Sequence, residues 1–148
     1  RQPRMPVVRL SPFGPGLNGL PSDPATPLEA LAPGSPVPDE RAALAAMANV
    51  GRGKLTTGTW ACSAHHLSMA PYPVSEFCCI LEGELSLTTE AEGSRPRETQ
   101  IFGPGSAFFI HKGTILEWKQ LCTVRKYFVI LEESEENGDN GSPPMAKL

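Results

Sequence analysis

The chain has 148 residues, of which 40% are apolar, and a formal net charge of −3. A chain of this length can form one domain that buries roughly 70% of its unfolded surface, so it needs no covalent staples. Its positive charges are scattered, apart from three arginines among the first nine residues, and this excludes the clustered basic face of a nucleic-acid-binding module. The sequence has no run of about 18 apolar residues that would predict a membrane span. We therefore expect neither nucleic acid nor a membrane as a partner.

The first 38 residues form a proline-rich segment, because ten of the 16 prolines lie before residue 39. Such a composition predicts an extended arm. The arm also contains Val7, Val8, Leu10 and Phe13, which are too many apolar side chains for a solvated tail. We therefore expect part of it to lie on the folded domain or on a neighbouring subunit.

The run from Asp39 to Val50 is rich in alanine, begins with acidic residues and is followed by Gly51. Acidic residues in a first turn and a glycine after the last turn are typical of a short helix. Residues 1–50 are thus predicted to be an arm followed by one short helix.

From Lys54 onward, apolar and polar residues alternate with a period of two. This pattern predicts short strands separated by turn signals about every ten residues, which is typical of a β-sandwich or β-barrel over residues 51–131. The predicted strands are Lys54–Cys62, His65–Ala70, Ser75–Glu82, Glu84–Glu90, Glu98–Phe102, Ala107–Ile110, Ile115–Lys119 and Thr123–Leu131. Residues 132–148 carry five acidic side chains with Asn, Gly, Ser and Pro, and they predict an acidic disordered tail.

The four cysteines, Cys62, Cys78, Cys79 and Cys122, lie inside strand-like apolar runs. No two of them have the C-x-x-C spacing, and adjacent Cys78 and Cys79 should point to opposite faces. Reduced, buried thiols fit this arrangement better than a zinc site does. Reduced thiols and a start that lacks the layout of a signal peptide predict a cytoplasmic protein.

Two glycine-anchored segments resemble the paired motifs of the cupin fold: Glu76 seven residues before Gly83, and Gly103-Pro-Gly105 followed by His111. Five further segments resemble the ureidoglycine aminohydrolase-like cupin family, which has an ethanolamine-utilisation branch. They are Gly58-Thr-Trp60, Tyr72–Phe77, Phe102–Gly105, Trp118 and Arg125-Lys126-Tyr127. The resemblance covers about residues 54–131. It implies an all-β, RmlC-like double-stranded β-helix, that is, a jelly-roll barrel.

The resemblance to metal-bearing cupins implies four metal ligands. They are two histidines and a glutamate from the first motif and one histidine from the second. The resemblance assigns the glutamate to Glu76, but the histidine positions hold Ala70, Tyr72 and Leu116. One carboxylate alone cannot hold a first-row metal, so we expect no metal and no other cofactor. The alternative is a rebuilt site in which Glu76 is joined by non-consensus histidines, namely His65, His66 or His111.

Glu76 needs a partner if it points into the barrel, because an unpaired buried carboxylate is costly or has a raised pKa. Lys126 is the best candidate, since it alternates with Val124, Phe128 and Ile130 on an apolar face. We predict that the two side chains meet inside the barrel and form the candidate catalytic pair, with Glu76 as acid or base. The alternative is a lysine that extends to one end of the barrel.

Trp60, Tyr72 and Trp118, with Cys78 on the Glu76 face, are the candidate ligand-binding residues, because aromatic walls with few polar groups suit a small polar metabolite. The alternative is that both tryptophans are ordinary core residues. The strands of Glu76 and Phe108 carry apolar residues on both faces, so the outside of the barrel should be covered by the arm or by a partner. A homodimer is expected.

The sequence leaves three alternative functions for this protein. The preferred one is a metal-free cupin that binds a small carboxylate, amine or ureide-like metabolite. The second is a metal-dependent aminohydrolase-like enzyme that releases ammonia from a ureido compound, and the missing histidines and the single barrel oppose it. The third is a non-catalytic assembly protein whose arm and tail bind partners.

Overall fold

The structure, a computed structural model, describes residues 7–13 and 39–133. Within these residues there are nine β-strands and no helix that could span a membrane. The strands are β1 (Glu40–Val50), β2 (Gly53–Cys62), β3 (His65–Pro71), β4 (Ser75–Glu82), β5 (Leu85–Thr89), β6 (Glu98–Phe102), β7 (Ala107–Ile110), β8 (Ile115–Gln120) and β9 (Val124–Glu133).

The strands form two antiparallel sheets that enclose the core. One sheet has five strands in the order β1-β2-β9-β4-β7, and the other has four in the order β3-β8-β5-β6. The largest apolar side chains that are fully buried lie between the sheets: Trp60, Ile80, Leu85, Trp118, Phe128 and Ile130. This is the jelly-roll arrangement that the sequence predicts, and it places the inner faces of β4 and β9 next to each other.

The eight strands predicted from the alternation are all present. Three have the predicted bounds, namely β4, β6 and β7, and the others differ by at most two residues at either end. Period-two patterning identifies these strands well because each has one face in the core.

The predicted helix over residues 39–50 is wrong, because Glu40–Val50 forms strand β1. The strand pairs along its whole length with β2, through a two-residue hairpin loop in which Gly51 has a φ of 58°. A positive φ at this position is typical of hairpin turns. Gly58 on β2 lets β1 approach, since a Cβ there would lie 2.3 Å from the Ala43 carbonyl oxygen. The cross-strand pairing outweighs the helical propensity of the alanines.

Residues 7–13 of the arm lie on the outer face of the five-stranded sheet, which agrees with the expectation that part of the arm contacts the barrel. The Thr59 hydroxyl donates to the Ser11 carbonyl at 2.7 Å, and the Arg125 guanidinium donates to the Pro12 carbonyl at 3.3 Å. The same guanidinium lies 4.8 Å from the centroid of the Phe13 ring. The other residues of the predicted arm, and residues 134–148 of the predicted tail, lie outside the described residues.

Candidate functional site

Glu76 and Lys126 form a direct ion pair at the centre of the barrel. Lys126 on β9 is paired with Ile80 of β4 in the sheet, and its long side chain extends along the inner face to Glu76. Its Nζ donates to Glu76 Oε2 at 2.8 Å, and both side chains are 0% exposed. The predicted contact is therefore present, and the alternative of a lysine that extends to the barrel end is wrong.

Two further donors hold the Glu76 carboxylate in place. The Tyr72 hydroxyl donates to Oε1 at 2.5 Å, and the Cys78 thiol donates to Oε2 at 3.2 Å. Hydrogen bonds to an ionised carboxylate are shorter and stronger than those between neutral groups. The buried carboxylate is thus stabilised by three protein donors.

The Lys126 ammonium lies in a corner made by two indole rings. Its Nζ is 4.6 Å from the Trp60 ring centroid and 4.7 Å from the Trp118 ring centroid, within the range of cation–π attraction. The two rings are nearly perpendicular, with centroids 5.9 Å apart and planes at 80°. We call Glu76, Trp60 and Trp118 the ammonium cage. Both tryptophans are core residues and also walls of this cage.

Each indole is fixed by its own hydrogen bond outside the cage. Trp118 Nε1 donates to Gln120 Oε1 at 2.9 Å, and the Gln120 amide donates in turn to the Cys62 carbonyl at 2.8 Å. The Tyr72 ring stacks on Trp118 with nearly parallel planes, 10° apart. The ring positions are therefore set by the barrel and not by the lysine.

Glu40 on β1 holds the other indole, because Trp60 Nε1 donates to its Oε2 at 3.0 Å. Burial raises the pKa of Glu40, although the Trp60 hydrogen bond and the Lys126 charge oppose this. Glu40 was not predicted as a site residue, because the alanine-rich run that contains it favours a helix. The available signal was Gly51-Arg52, a two-residue hairpin loop followed directly by a strand.

The protonation states in the site follow from burial. Burial raises the pKa of the Cys78 thiol by more than the Lys126 charge lowers it, and burial and Glu76 raise the pKa of Tyr72 well above its ordinary value. Burial lowers the pKa of Lys126, but Cys78 and Glu76 raise it by more. Since the thiol stays protonated near neutral pH, the charge that holds the ammonium there is that of Glu76. Cys78 is accordingly a hydrogen-bond donor and not a thiolate nucleophile.

The three histidines do not converge on Glu76. His66 Nε2 lies 2.8 Å from Glu117 Oε2, on the opposite face of β8 from Trp118. His111 is exposed, and its ring contacts Phe109 edge-on at a centroid distance of 5.0 Å. His65 Nε2 is buried and has no hydrogen-bond partner in the described part of the chain, and burial and the neighbouring His66 lower the pKa of His65.

The donor set around Glu76 does not fit the metal that many cupins hold. Two of the positions assigned to metal-binding histidines, Ala70 and Leu116, are apolar residues paired with each other across β3 and β8. Tyr72 donates its proton to Glu76, and the carboxylate is also bound by Lys126. Within residues 7–13 and 39–133, no three His, Cys, Asp or Glu side chains come together as metal ligands would.

The predicted site residues are brought together, but they are closed off from solvent. Trp60, Tyr72, Glu76, Cys78, Trp118 and Lys126 are all buried. Contact between a ligand and the ammonium therefore requires at least one of the aromatic side chains to move.

The comparison with protein families matches residues 51–128 to the EutQ-like cupin domain, which is just over half of the chain. The chain belongs to the EutQ-like cupin family. The ethanolamine-utilisation resemblance is confirmed at this level, whereas the ureidoglycine aminohydrolase-like assignment stays a prediction. A search of curated protein sequences found no match.

Among solved structures, a Pseudomonas syringae pv. tomato protein of unknown function from the DUF861 family matches this EutQ-like cupin with a TM-score of 0.59 at 20% identity. The match covers 82% of this chain and 46% of the other, so the chain spans less than half of that protein's length. The EutQ protein of Clostridium difficile matches with a TM-score of 0.45 at 13% identity, over 62% of this chain and 68% of that one. The first of these likenesses supports the fold and nothing beyond it.

Proposed function

We propose that this EutQ-like cupin binds a small polar metabolite inside its barrel without a metal, at the Glu76–Lys126 pair. The observation that carries the proposal is the 2.8 Å contact between Nζ and Oε2 with both side chains fully buried. A buried ion pair adds little stability compared with apolar residues of similar size. A charged pair in the interior of a fold that binds small molecules is therefore a candidate binding site.

The unused hydrogen-bonding capacity of the pair indicates the class of ligand. Glu76 already accepts from Tyr72, Cys78 and Lys126. The ammonium has three protons, and the described residues offer it two acceptor atoms, Glu76 Oε2 and the distant Cys78 Sγ at 3.5 Å. A carboxylate or ureide oxygen can accept the third proton, whereas an amine would compete with Lys126 for Glu76.

The catalytic roles proposed for the pair follow from the same contacts. Glu76 is the acid or base that exchanges a proton with the bound carbonyl compound, and Lys126 holds its carboxylate in place through the 2.8 Å contact. Trp60, Tyr72 and Trp118 shape the space around the ligand, and Cys78 positions Glu76.

Tryptophan fluorescence is a direct probe of this site, because the chain has only two tryptophans and both contact Lys126. The purified protein is titrated with a panel of small carboxylates and ureides, with fluorescence and thermal unfolding as readouts. We expect at least one compound to change the emission and raise Tm. Lys119→Met should respond in the same way, because Lys119 pairs with Glu117 on the other face of β8.

The double variant Glu76→Gln/Lys126→Met, which leaves no unpaired charge, should lose the response. A panel without any response in the unmodified protein, or an unchanged response in the double variant, would overturn the binding proposal. Elemental analysis of the same protein tests the alternative function, a metal-dependent aminohydrolase. Stoichiometric manganese, iron or zinc would favour that alternative.

We propose that a second copy of this chain packs against the exposed aromatic residues on the outer face of β4 and β7. Phe77 on β4 and Phe109 on β7 are directly paired, and they are 42% and 53% exposed. Among the described arm residues, 7–13, the contacts given above lie on β2 and β9 and not on this pair. An uncharged apolar surface can pair with a copy of itself without like-charge repulsion. Light scattering should give a dimer mass that Phe109→Glu reduces to the monomer mass, and a monomer before substitution would refute the dimer.

A further inference from the structure

The surroundings of the Lys126 ammonium have the features of a receptor for a free ammonium ion. A carboxylate oxygen lies at 2.8 Å, and two indole faces lie 4.6 Å and 4.7 Å from Nζ. Proteins that bind alkylammonium ligands use such aromatic cages, because the negative faces of the rings attract the cation where water is excluded.

We infer that the ammonium cage of Glu76, Trp60 and Trp118 is a binding site for a primary alkylammonium ion, which the chain fills with its own Lys126 side chain. This inference rests on the cage geometry and does not require the proposed metabolite. It concerns a cation, whereas the proposed function concerns a carboxylate or ureide ligand.

The cage is held together by contacts that do not involve the lysine. Tyr72 and Cys78 donate to the Glu76 carboxylate. Glu40 accepts from Trp60, and Gln120 accepts from Trp118. Because every wall has a partner of its own, the cage should keep its shape when the lysine side chain is shortened.

Shortening the side chain defines the ion that would fit. Lys126→Ala removes three methylene groups and the ammonium, which together have the composition of an n-propylammonium ion. The substitution also leaves Glu76 buried with no cation beside it, and an uncompensated buried charge is strongly unfavourable. An added propylammonium ion would restore both the packing and the charge, whereas 1-propanol would restore only the packing.

The test is thermal unfolding of Lys126→Ala in propylammonium chloride, with sodium chloride at equal ionic strength as the reference. Ligands that bind only the folded state raise Tm in a saturable manner. We expect a saturable rise of about 4 °C or more in Lys126→Ala and no specific rise in the unmodified protein, whose cage is filled. Tryptophan emission should change over the same concentration range. Propionate and 1-propanol should give at most a small, non-saturating effect.

Two further variants keep the inference falsifiable. In Lys126→Ala/Glu76→Gln the response to amine should disappear, and in Lys126→Ala/Trp60→Leu its half-saturation concentration should rise several-fold. If Lys126→Ala does not fold alone, its refolding with and without propylammonium is compared by near-ultraviolet circular dichroism, and the amine should restore the native spectrum. Equal rescue by 1-propanol, or no rescue by the amine in either format, would overturn the inference.

Discussion

Two neighbouring residues of β9 form ion pairs with two residues of β4 on opposite faces of the same sheet. Lys126 pairs with Glu76 inside the barrel, where both side chains are 0% exposed. Arg125 pairs with Glu82 outside at 2.7 Å, where the arginine is 6% exposed but the carboxylate is 48% exposed. The same two strands thus present one pair to the core and one to solvent.

The difference between the two pairs shows that a buried carboxylate needs protein donors where an exposed one can use solvent. Glu82 remains in contact with water, so it loses little when its partner is removed. The Glu76 side chain is 0% exposed, so bulk solvent does not contact it, and its described hydrogen bonds come from protein donors. In the inner pair, Tyr72 and Cys78 donate to the carboxylate and two indoles face the ammonium. In the outer pair, the additional contacts described above are on the arginine, whereas the carboxylate is half exposed to solvent.

The largest effect is expected when the inner pair is broken on one side. Lys126→Met keeps the volume of the stem but leaves Glu76 unpaired in the core, and this should lower the free energy of unfolding by about 3–5 kcal/mol. Urea denaturation measures the change. A loss below about 1 kcal/mol would mean that the pair is not buried as described.

The matched control is Lys126→Met/Glu76→Met, in which both charges are gone. Replacing a whole buried pair by apolar side chains is often neutral or stabilising. We therefore expect the double variant to be clearly more stable than Lys126→Met. A double variant that is less stable than Lys126→Met would contradict the free-energy cost that we assign to the unpaired, buried Glu76 carboxylate.

A smaller effect is expected from pH, and its direction follows from the raised pKa values. The folded protein holds the protons of Cys78 and Tyr72 more tightly than the unfolded chain, whose groups have ordinary pKa values of 9.0 and 10.0. Stability should therefore fall as pH rises above 9. Lys126 acts in the same direction, because its pKa is raised above the ordinary 10.5, so its contribution to stability is lost progressively as pH rises from 10.5 through that raised value.

Cys78→Ala should move the start of this alkaline decline from near pH 9 towards pH 10. The control is Cys79→Ala, since Cys79 is the next residue on β4 and points to the opposite face. The midpoints of urea denaturation, measured between pH 8 and 10.5 for both variants, show where the loss of stability begins. An unchanged onset in Cys78→Ala would contradict the assignment of a buried, protonated thiol beside Glu76.

The smallest effect is expected from the outer pair. Glu82→Ala removes a half-exposed carboxylate and leaves the Arg125 guanidinium with the Pro12 carbonyl and the Phe13 ring, so we expect a loss of about 1 kcal/mol. Its effect on unfolding should shrink further in high salt, whereas that of Lys126→Met should persist because salt screens buried charges far less. A loss from Glu82→Ala as large as that from Lys126→Met would remove the contrast between the two faces.

Alternation predicted the strands and the faces of Glu76 and Lys126, and the resemblance to cupins implied the jelly roll that brings the two side chains into one core. Glu76 and Lys126 each lie on the apolar face of a strand, and two such faces in a jelly roll enclose one core. The alanine-rich β1 could not be predicted in this way, since its strand conformation depends on pairing with β2. Its residue Glu40 was missed for that reason.

The burial of the site from solvent could not be predicted from the sequence either. Trp60 and Trp118 lie on different sheets, and their perpendicular packing over Lys126 depends on how the sheets face each other. Alternation indicates which face a side chain occupies, but not whether solvent reaches it. The predicted pocket residues therefore came together as buried side chains.

The central claim is that the Lys126 ammonium, and no metal ion, neutralises Glu76 in the barrel. A crystal structure of the protein grown with manganese and zinc salts tests it most directly. The account predicts density for Nζ within about 3.2 Å of the Glu76 carboxylate, the usual limit of such a hydrogen bond, and no anomalous signal beside it. A metal ion coordinated by Glu76 with Lys126 displaced, or a Glu76 side chain that points into solvent, would contradict it.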